Sequence, residues 1–345
     1  MPMSTPSRLK IVVTGSAGRV GRAIHIRLAR EHHVSGFDRT PCSTADWVGD
    51  LDDAALLARA LQGVDAVIHT AALHAPHVAH VPAARFRQVN VDGTRRVLDA
   101  AAAAGVRRIV FTSTTALYGD AATPDGSAGW VDETLAPQPQ TIYHHTKLEA
   151  EALLREAADQ GGPSVRILRM SRCFPEPVNV MAAFRLHRGI DARDVAEAHA
   201  AALRHAGPAS ATFVISGATP FLREDCAELH TAAPAILHRR APTLVAAFAQ
   251  RGWALPERID RVYSPQRALD ALGWQPRHGF AEVLHQYDTH VPEVLPPNDG
   301  RAVSDLTPGA DRHTGFGWRS KDVRRRREPE APGVLPAGSR IPIST

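Results

Sequence analysis

Lysine is nearly absent from this chain: of 40 basic residues only Lys10, Lys147 and Lys321 are lysines, and the rest are arginine. Where arginine has displaced lysine so thoroughly, a lysine that persists points to chemistry a guanidinium cannot supply, above all a proton affinity that shifts on burial. Cysteine is scarce as well. Cys42, Cys173 and Cys226 are odd in number and widely spaced, which fits neither a disulfide framework nor a zinc ligand set, so a reducing compartment is expected. No apolar run approaches the ~20 residues needed to cross a bilayer. The polar start, Met1 to Arg8, lacks the apolar stretch of a secretory signal. The expectation is a cytoplasmic protein with no membrane partner. A strong excess of one charge is also missing. The net charge is +4, and nine basic against seven acidic residues lie beyond residue 288, which leaves 31 against 29 in the body. That is too near balance to track phosphates, so no nucleic-acid partner is expected.

What is present is an alternation of strand-like and helix-like segments. Lys10–Thr14 is an apolar run that ends in a glycine turn, and Arg19 to Glu31 is helical. His33–Asp38 reads as a strand, Asp52 to Gln62 as a helix and Asp65–Thr70 as a strand. A helix over Ala83 to Ala104 follows, with Gly105 as its cap, then a strand over Arg108–Ser113. Thr141 to Ala158 is helical and Ser164–Arg169 is extended. This rhythm implies βαβ units and an α/β, doubly wound parallel (Rossmann) sheet over residues 9–172. Residues 173–288 read as the remaining sheet elements, a helix over Asp191 to His205 and a strand over Thr212 to Ser216 among them, plus a small, mostly helical substrate lobe. Residues 289–345, rich in Pro and Gly and carrying Arg324 to Arg327, read as a disordered and dispensable tail.

Two constellations carry chemistry. Gly15-Ser-Ala-Gly18-Arg-Val-Gly21 follows the first strand and opens the first helix. Glycines there permit a tight turn and close backbone approach to a pyrophosphate, and the helix end supplies free N–H groups. The pattern alone is weak, and its position at the first βα junction gives it weight. Asp38 closes the second strand, where a carboxylate accepts bonds from ribose hydroxyls and repels a 2′-phosphate. This favours NAD over NADP, with Arg39 beside it as the opposing influence. The second constellation is Tyr143-His-His-Thr-Lys147, a phenol and an amine on one helix face. A tyrosine near its usual pKa of ~10 is a poor base, and a neighbouring ammonium stabilises its phenolate. The hydroxyl run Thr112 to Thr115 ends the preceding strand and offers a group to hold a substrate oxygen.

With these motifs in order, residues 9 to about 205 resemble the NAD-dependent epimerase/dehydratase family, the extended short-chain dehydrogenases. The resemblance rests on Gly15/Gly18/Gly21, Asp38, Gly49-Asp50-Leu51, His69-Thr-Ala-Ala72, Asn90-Val-Asp-Gly-Thr94, the hydroxyl run before Tyr118-Gly119, and Tyr143/Lys147. It implies a catalytic triad of Thr114, Tyr143 and Lys147, with Ser113 as second choice for the hydroxyl. It implies an NAD site built from Gly15, Ala17, Gly18, Arg19, Val20, Gly21, Asp38, Arg39, Asp50, Leu51, Ala71, Ala72 and Asn90, with Tyr143 and Lys147 at its far end. A homodimer is implied too, and hydride transfer at a hydroxyl or keto carbon of a sugar-like substrate.

The substrate is less legible. Arg193 follows Arg169 by only 24 residues, which leaves little room for the insert that grips a nucleotide in nucleotide-sugar epimerases. Ser171-Arg-Cys-Phe-Pro-Glu-Pro177 is similar to a stretch in uronate dehydrogenases, whose carboxylate-gripping arginine falls here on Met181. Arg172 and Arg185 are therefore the expected substrate contacts, with His74 as a further one. His74, His77 and His80 do not match a metal ligand set, and no metal is expected. The alternatives are an epimerase or dehydratase that recycles its NAD, and an NAD-sensing regulator without turnover.

Overall fold

The structure, a computed structural model, describes residues 8–298. Its strands are β1 (Lys10–Thr14), β2 (His33–Asp38), β3 (Trp47–Val48), β4 (Ala66–His69), β5 (Arg108–Thr114), β6 (Gly129–Val131), β7 (Ser164–Met170), β8 (Ser210–Ile215) and β9 (Arg261–Tyr263). Seven of them form one sheet in the order β3-β2-β1-β4-β5-β7-β8, every neighbour parallel. The order reverses beside β1, and at such a switch point a crevice opens at the carboxyl ends of the strands. Helices cover both faces: α1 (Arg19–Leu28) and α7 (Ala192–Arg204) on one, α2 (Ala54–Leu61), α4 (Gly93–Ala103) and α5 (Ile142–Asp159) on the other, while α3 (Ala83–Arg87) packs on α5 and α6 (Val178–Phe184) belongs to a second lobe. Alternation along β1 feeds both cores. Ile11 and Val13 pack with Ile24 and Leu28 of α1 and with Val195 of α7, while Val12 packs with Leu57, Val97 and Leu154 from α2, α4 and α5. Burial on both faces explains why these strands read as continuous apolar runs.

The rest of the chain is α8 (Cys226–Arg240), α9 (Pro242–Gln250), α10 (Gln266–Leu272) and α11 (Phe280–Asp288). Leu229, Ile236, Leu244, Phe248, Val262 and Val283 form a second core with α6. This lobe includes a short parallel ribbon, β6 with β9, that joins it to the segment after β5.

Two expectations change. The single helix expected over Ala83 to Ala104 is interrupted between α3 and α4 by a π turn, Gln88–Asp92. Nothing in the apolar spacing reveals that one extra residue per turn, but the turn carries buried Asn90. The tail does not begin at Thr289. Leu295 donates its backbone N–H to the Glu176 carbonyl at 3.1 Å and accepts from Val178 N–H at 3.0 Å. Val294 is buried in the lobe core, and Glu293 pairs with Arg19. A stretch with three apolar side chains, Val291, Val294 and Leu295, among prolines shows no periodicity, so its docking was invisible in the pattern. Residues 299–345, the remainder of the expected tail with its arginine run, lie outside the described residues.

Candidate active site

A cavity of about 1220 Å³ runs along the carboxyl ends of β1, β2, β4, β5 and β7. At one end stands the glycine turn. Gly15 has φ +72°, and a Cβ there would sit 2.7 Å from the Ala71 nitrogen; at Gly21 it would lie 2.1 Å from the Gly15 carbonyl oxygen. Those two glycines are required by the protein's own packing. At Gly18 a Cβ would meet only the Gly15 carbonyl oxygen, at 3.3 Å, so any stricter demand there comes from what enters the cavity. Gly18 starts α1 without a capping side chain, which leaves first-turn N–H groups for an anion. Asp38 faces the same end. Its carboxylate accepts from Ala17 N–H at 3.0 Å and Thr40 N–H at 2.8 Å, which fixes its orientation.

The other end holds Thr114, Tyr143 and Lys147. The Thr141 side chain caps α5 by accepting from His144 N–H, and one turn of that helix brings Tyr143 and Lys147 to the cavity wall. Tyr143 is buried and hydrogen-bonds Thr114; burial pushes its phenol up to about 12, with the Thr114 bond pulling the other way. Thr114 is itself held by a bond from Ala116 N–H at 3.1 Å. Lys147 donates to the Thr112 carbonyl at 2.6 Å, and its ammonium lies 3.9 Å from the centre of the Phe111 ring. Burial lowers its proton affinity to about 7, and Glu151, one turn further along α5, partly restores it. Glu151 is fully buried and accepts from Ser113 Oγ at 2.6 Å and from Arg169 at 3.0 and 2.7 Å. Arg169 also donates to the Tyr118 hydroxyl at 3.0 Å. Beneath β4, neutral His69 fixes a hydroxyl chain. Thr94 gives its proton to the Asn90 carbonyl, so it must accept from His69 Nε2, and Nδ1 accepts from Thr14. Burial holds the imidazole at about 3, which keeps it uncharged.

The family model described as "NAD dependent epimerase/dehydratase family" matches residues 11–180. L-arabinose 1-dehydrogenase (NAD(P)(+)) from Haloferax volcanii is 35% identical over 170 residues, 47% of this chain and 66% of that enzyme. The NAD-dependent glucose-6-phosphate dehydrogenase of the same organism is 30% identical over 178 residues, 46% of this chain and 67% of that enzyme. Thus the matched segments span about two thirds of those relatives. The chain belongs to the NAD-dependent epimerase/dehydratase family. Beyond the matched segment, a short-chain dehydrogenase/reductase superfamily protein from Agrobacterium tumefaciens, solved with bound NAD, covers 81% of this chain and 96% of its own. Its TM-score is 0.62 at 26% identity.

Most residues expected of a member of this family line the cavity together: Gly15 to Gly21 except Ser16, then Asp38, Arg39, Asp50, Leu51, Ala71, Ala72, His74, Ser113, Thr114, Tyr143, Lys147 and Arg172. Three expectations are corrected. Asn90 is not in the lining; it sits behind it, bonded to the Leu73 backbone at 2.7 and 2.9 Å and to Thr146 at 3.0 Å. It braces the loop after β4 against α5. Ser113 lines the cavity, but its hydroxyl is directed to Glu151, which leaves Thr114 as the hydroxyl beside Tyr143. Arg185 follows α6, faces inward and pairs with Asp191 at 3.3 Å. A helix turn carries it toward the core, and Arg188, three residues on, lines the cavity instead. His74 stacks on Phe174 with ring centres 5.9 Å apart, while His145 is exposed. Sequence reasoning missed Arg188, Arg261 and Glu151. Glu151 had a readable signal, its place four residues after Lys147 on the same helix face; Arg261 had none, because its strand belongs to a lobe without clear periodicity.

Proposed function

We propose that this protein is a cytoplasmic, homodimeric NAD-dependent dehydrogenase that oxidises a hydroxyl of a sugar-like substrate, or runs the reverse reduction. The observation that carries the reading is the convergence of Thr114, Tyr143 and Lys147 at the far end of a cavity that begins at the glycine turn. The residues present suit NAD. Gly15, Ala17, Gly18 and the start of α1 would hold its pyrophosphate, Asp38 its adenosine ribose, and Asp50 and Leu51 its adenine. The carboxylate of Asp38 opposes a 2′-phosphate, which favours NAD over NADP. When bound, NAD supplies the hydride acceptor, and its reduced form the donor.

The chain's own residues handle the proton. Thr114 orients the substrate hydroxyl beside Tyr143 Oη. In reduction the buried phenol, proton-bearing at neutral pH, donates its proton to the nascent alkoxide; in oxidation the phenolate takes it back. Lys147, when protonated, opposes the cost of that phenolate, and it would hydrogen-bond the nicotinamide ribose of bound NAD. Leu73, Ala75 and Val78 give the cavity an apolar wall beside Tyr143. Among the described residues no three metal-binding side chains cluster, and no helix is long and apolar enough to cross a membrane. NADH absorbance with a panel of free sugars and sugar acids tests the reading. Stoichiometric NADH with at least one of them is expected; sugar interconversion without NADH release would make the protein an epimerase, and no chemistry with any would sink the proposal. Light scattering on the eluted peak reads the dimer.

A further inference from the structure

We propose that Glu293 sets how tightly the cofactor is held, by competing with the cofactor's pyrophosphate for the guanidinium of Arg19. This rests on reading the cavity as the NAD site of a dehydrogenase, which must exchange its cofactor at every turnover.

Arg19 is the first residue of α1, the helix whose opening turn has no capping side chain. It lines the cavity, half-buried, with the buried thiol of Cys173 as one neighbour. Its carboxylate partner comes from far along the chain. Glu293, 274 residues on, pairs with the guanidinium and lines the cavity as well. The pair therefore stands at the glycine turn, where free N–H groups favour an anion. An arginine fork matches phosphate oxygens as well as a carboxylate. Crowded onto one guanidinium, a carboxylate and a pyrophosphate repel each other.

The strap that carries Glu293 is fixed on both sides of it. Val291 N–H donates to the Gln286 carbonyl at 2.8 Å, and Val294 is buried in the second core. Leu295 exchanges backbone bonds with Glu176 and Val178, and Asn298 N–H donates to Asn179 Oδ1 at 3.3 Å. Glu293 thus reaches Arg19 by its side chain alone, and that side chain is half exposed. A change of rotamer carries the carboxylate to water without undocking the strap. The cost is small, because an ion pair this exposed contributes little. The other charged side chains of this end are Arg22, Asp38 and Arg39. Arg22 and Arg39 are exposed, and Asp38 is committed to the N–H groups of Ala17 and Thr40. Glu293 is the one carboxylate here that holds an arginine of the glycine turn, so a pyrophosphate must displace it to use Arg19. That displacement weakens binding, and the waiting carboxylate speeds release.

Calorimetry and stopped-flow NADH fluorescence on the full chain test this with no sugar present. Glu293→Gln should bind NADH and ADP-ribose about two- to fivefold more tightly than the unaltered chain, the gain appearing as slower NADH release. Adenosine, which lacks the pyrophosphate, should bind both chains alike, and its binding shows that each variant is folded. In an Arg19→Met background the same Glu293→Gln change should leave NADH affinity nearly unaltered. Unchanged affinity and release in Glu293→Gln, a matching gain for adenosine, or an equal gain without Arg19 would each overturn the inference. The expected gain in a chain that oxidises no sugar supports the inference and sinks the dehydrogenase reading. Sugar oxidation with NADH release unaltered by Glu293→Gln sinks the inference alone.

Discussion

The buried ion pair between Glu151 of α5 and Arg169 of β7 makes the sharpest demand on stability. Glu151 is fully buried and Arg169 nearly so, and two charged hydrogen bonds join them at 3.0 and 2.7 Å. Each such bond contributes ~1.5–3 kcal/mol, and stranding one partner of a buried pair costs ~3–5 kcal/mol. Glu151→Leu should therefore destabilise the chain by ~3–5 kcal/mol in urea unfolding, because Arg169 is left without its anion. Arg169→Leu should cost less, because Glu151 keeps its ion pair with Arg155. The double variant should recover most of the loss, since matched apolar side chains replace a buried pair at little net cost. Ser113, adjacent to Thr114, also loses its acceptor in Glu151→Leu. Its kcat should fall while NAD affinity holds, which marks Glu151 as a positioning residue. A single-variant cost below ~1 kcal/mol, or strict additivity in the double variant, would refute the reasoning.

Lys147 gives a pH signature. Burial lowers its proton affinity from 10.5 to about 7, so between those values the unfolded chain binds more protons and stability must rise with pH. At ~1.36 kcal/mol per pH unit, the rise amounts to at most ~5 kcal/mol. Lys147→Met should remove it, and parallel urea midpoints for both chains across that window would contradict the assignment. A chain stopped after Asn298 should match the full chain in melting and NADH formation, whereas one stopped after Asp288 should melt lower, because Val294 and the Leu295 backbone bonds are gone; equal melting refutes the docking argument. NAD should bind at least tenfold more tightly than NADP, and Asp38→Asn should narrow that ratio. Tighter NADP binding in the unaltered chain would mean that Arg39 governs that corner.

β1, β4 and the start of β5 were legible because both faces of the sheet are buried and these strands read as apolar runs, whereas the two-residue edge strand β3 left no such run. Gly15, Gly21 and Asp38 were legible because a tight turn and a strand-end carboxylate leave few residue choices. Spacing along one helix was enough for Tyr143 and Lys147. What stayed hidden depends on contacts between distant segments. Arg188 and Arg261 come from distant segments and meet over Asp260, and Arg185, chosen by proximity to the Pro-Glu-Pro stretch, is turned inward to Asp191. The π turn around Asn90 and the docking of Val294 and Leu295 likewise leave no period in the sequence.

Tyr143→Phe tests most directly whether Tyr143 moves the substrate proton, as proposed. The variant keeps the ring that packs against Leu73 and Phe86 and loses only the hydroxyl. NADH formation should drop ~10²–10⁴-fold while calorimetric NAD affinity stays within a few-fold. Near-normal turnover in Tyr143→Phe would contradict the account.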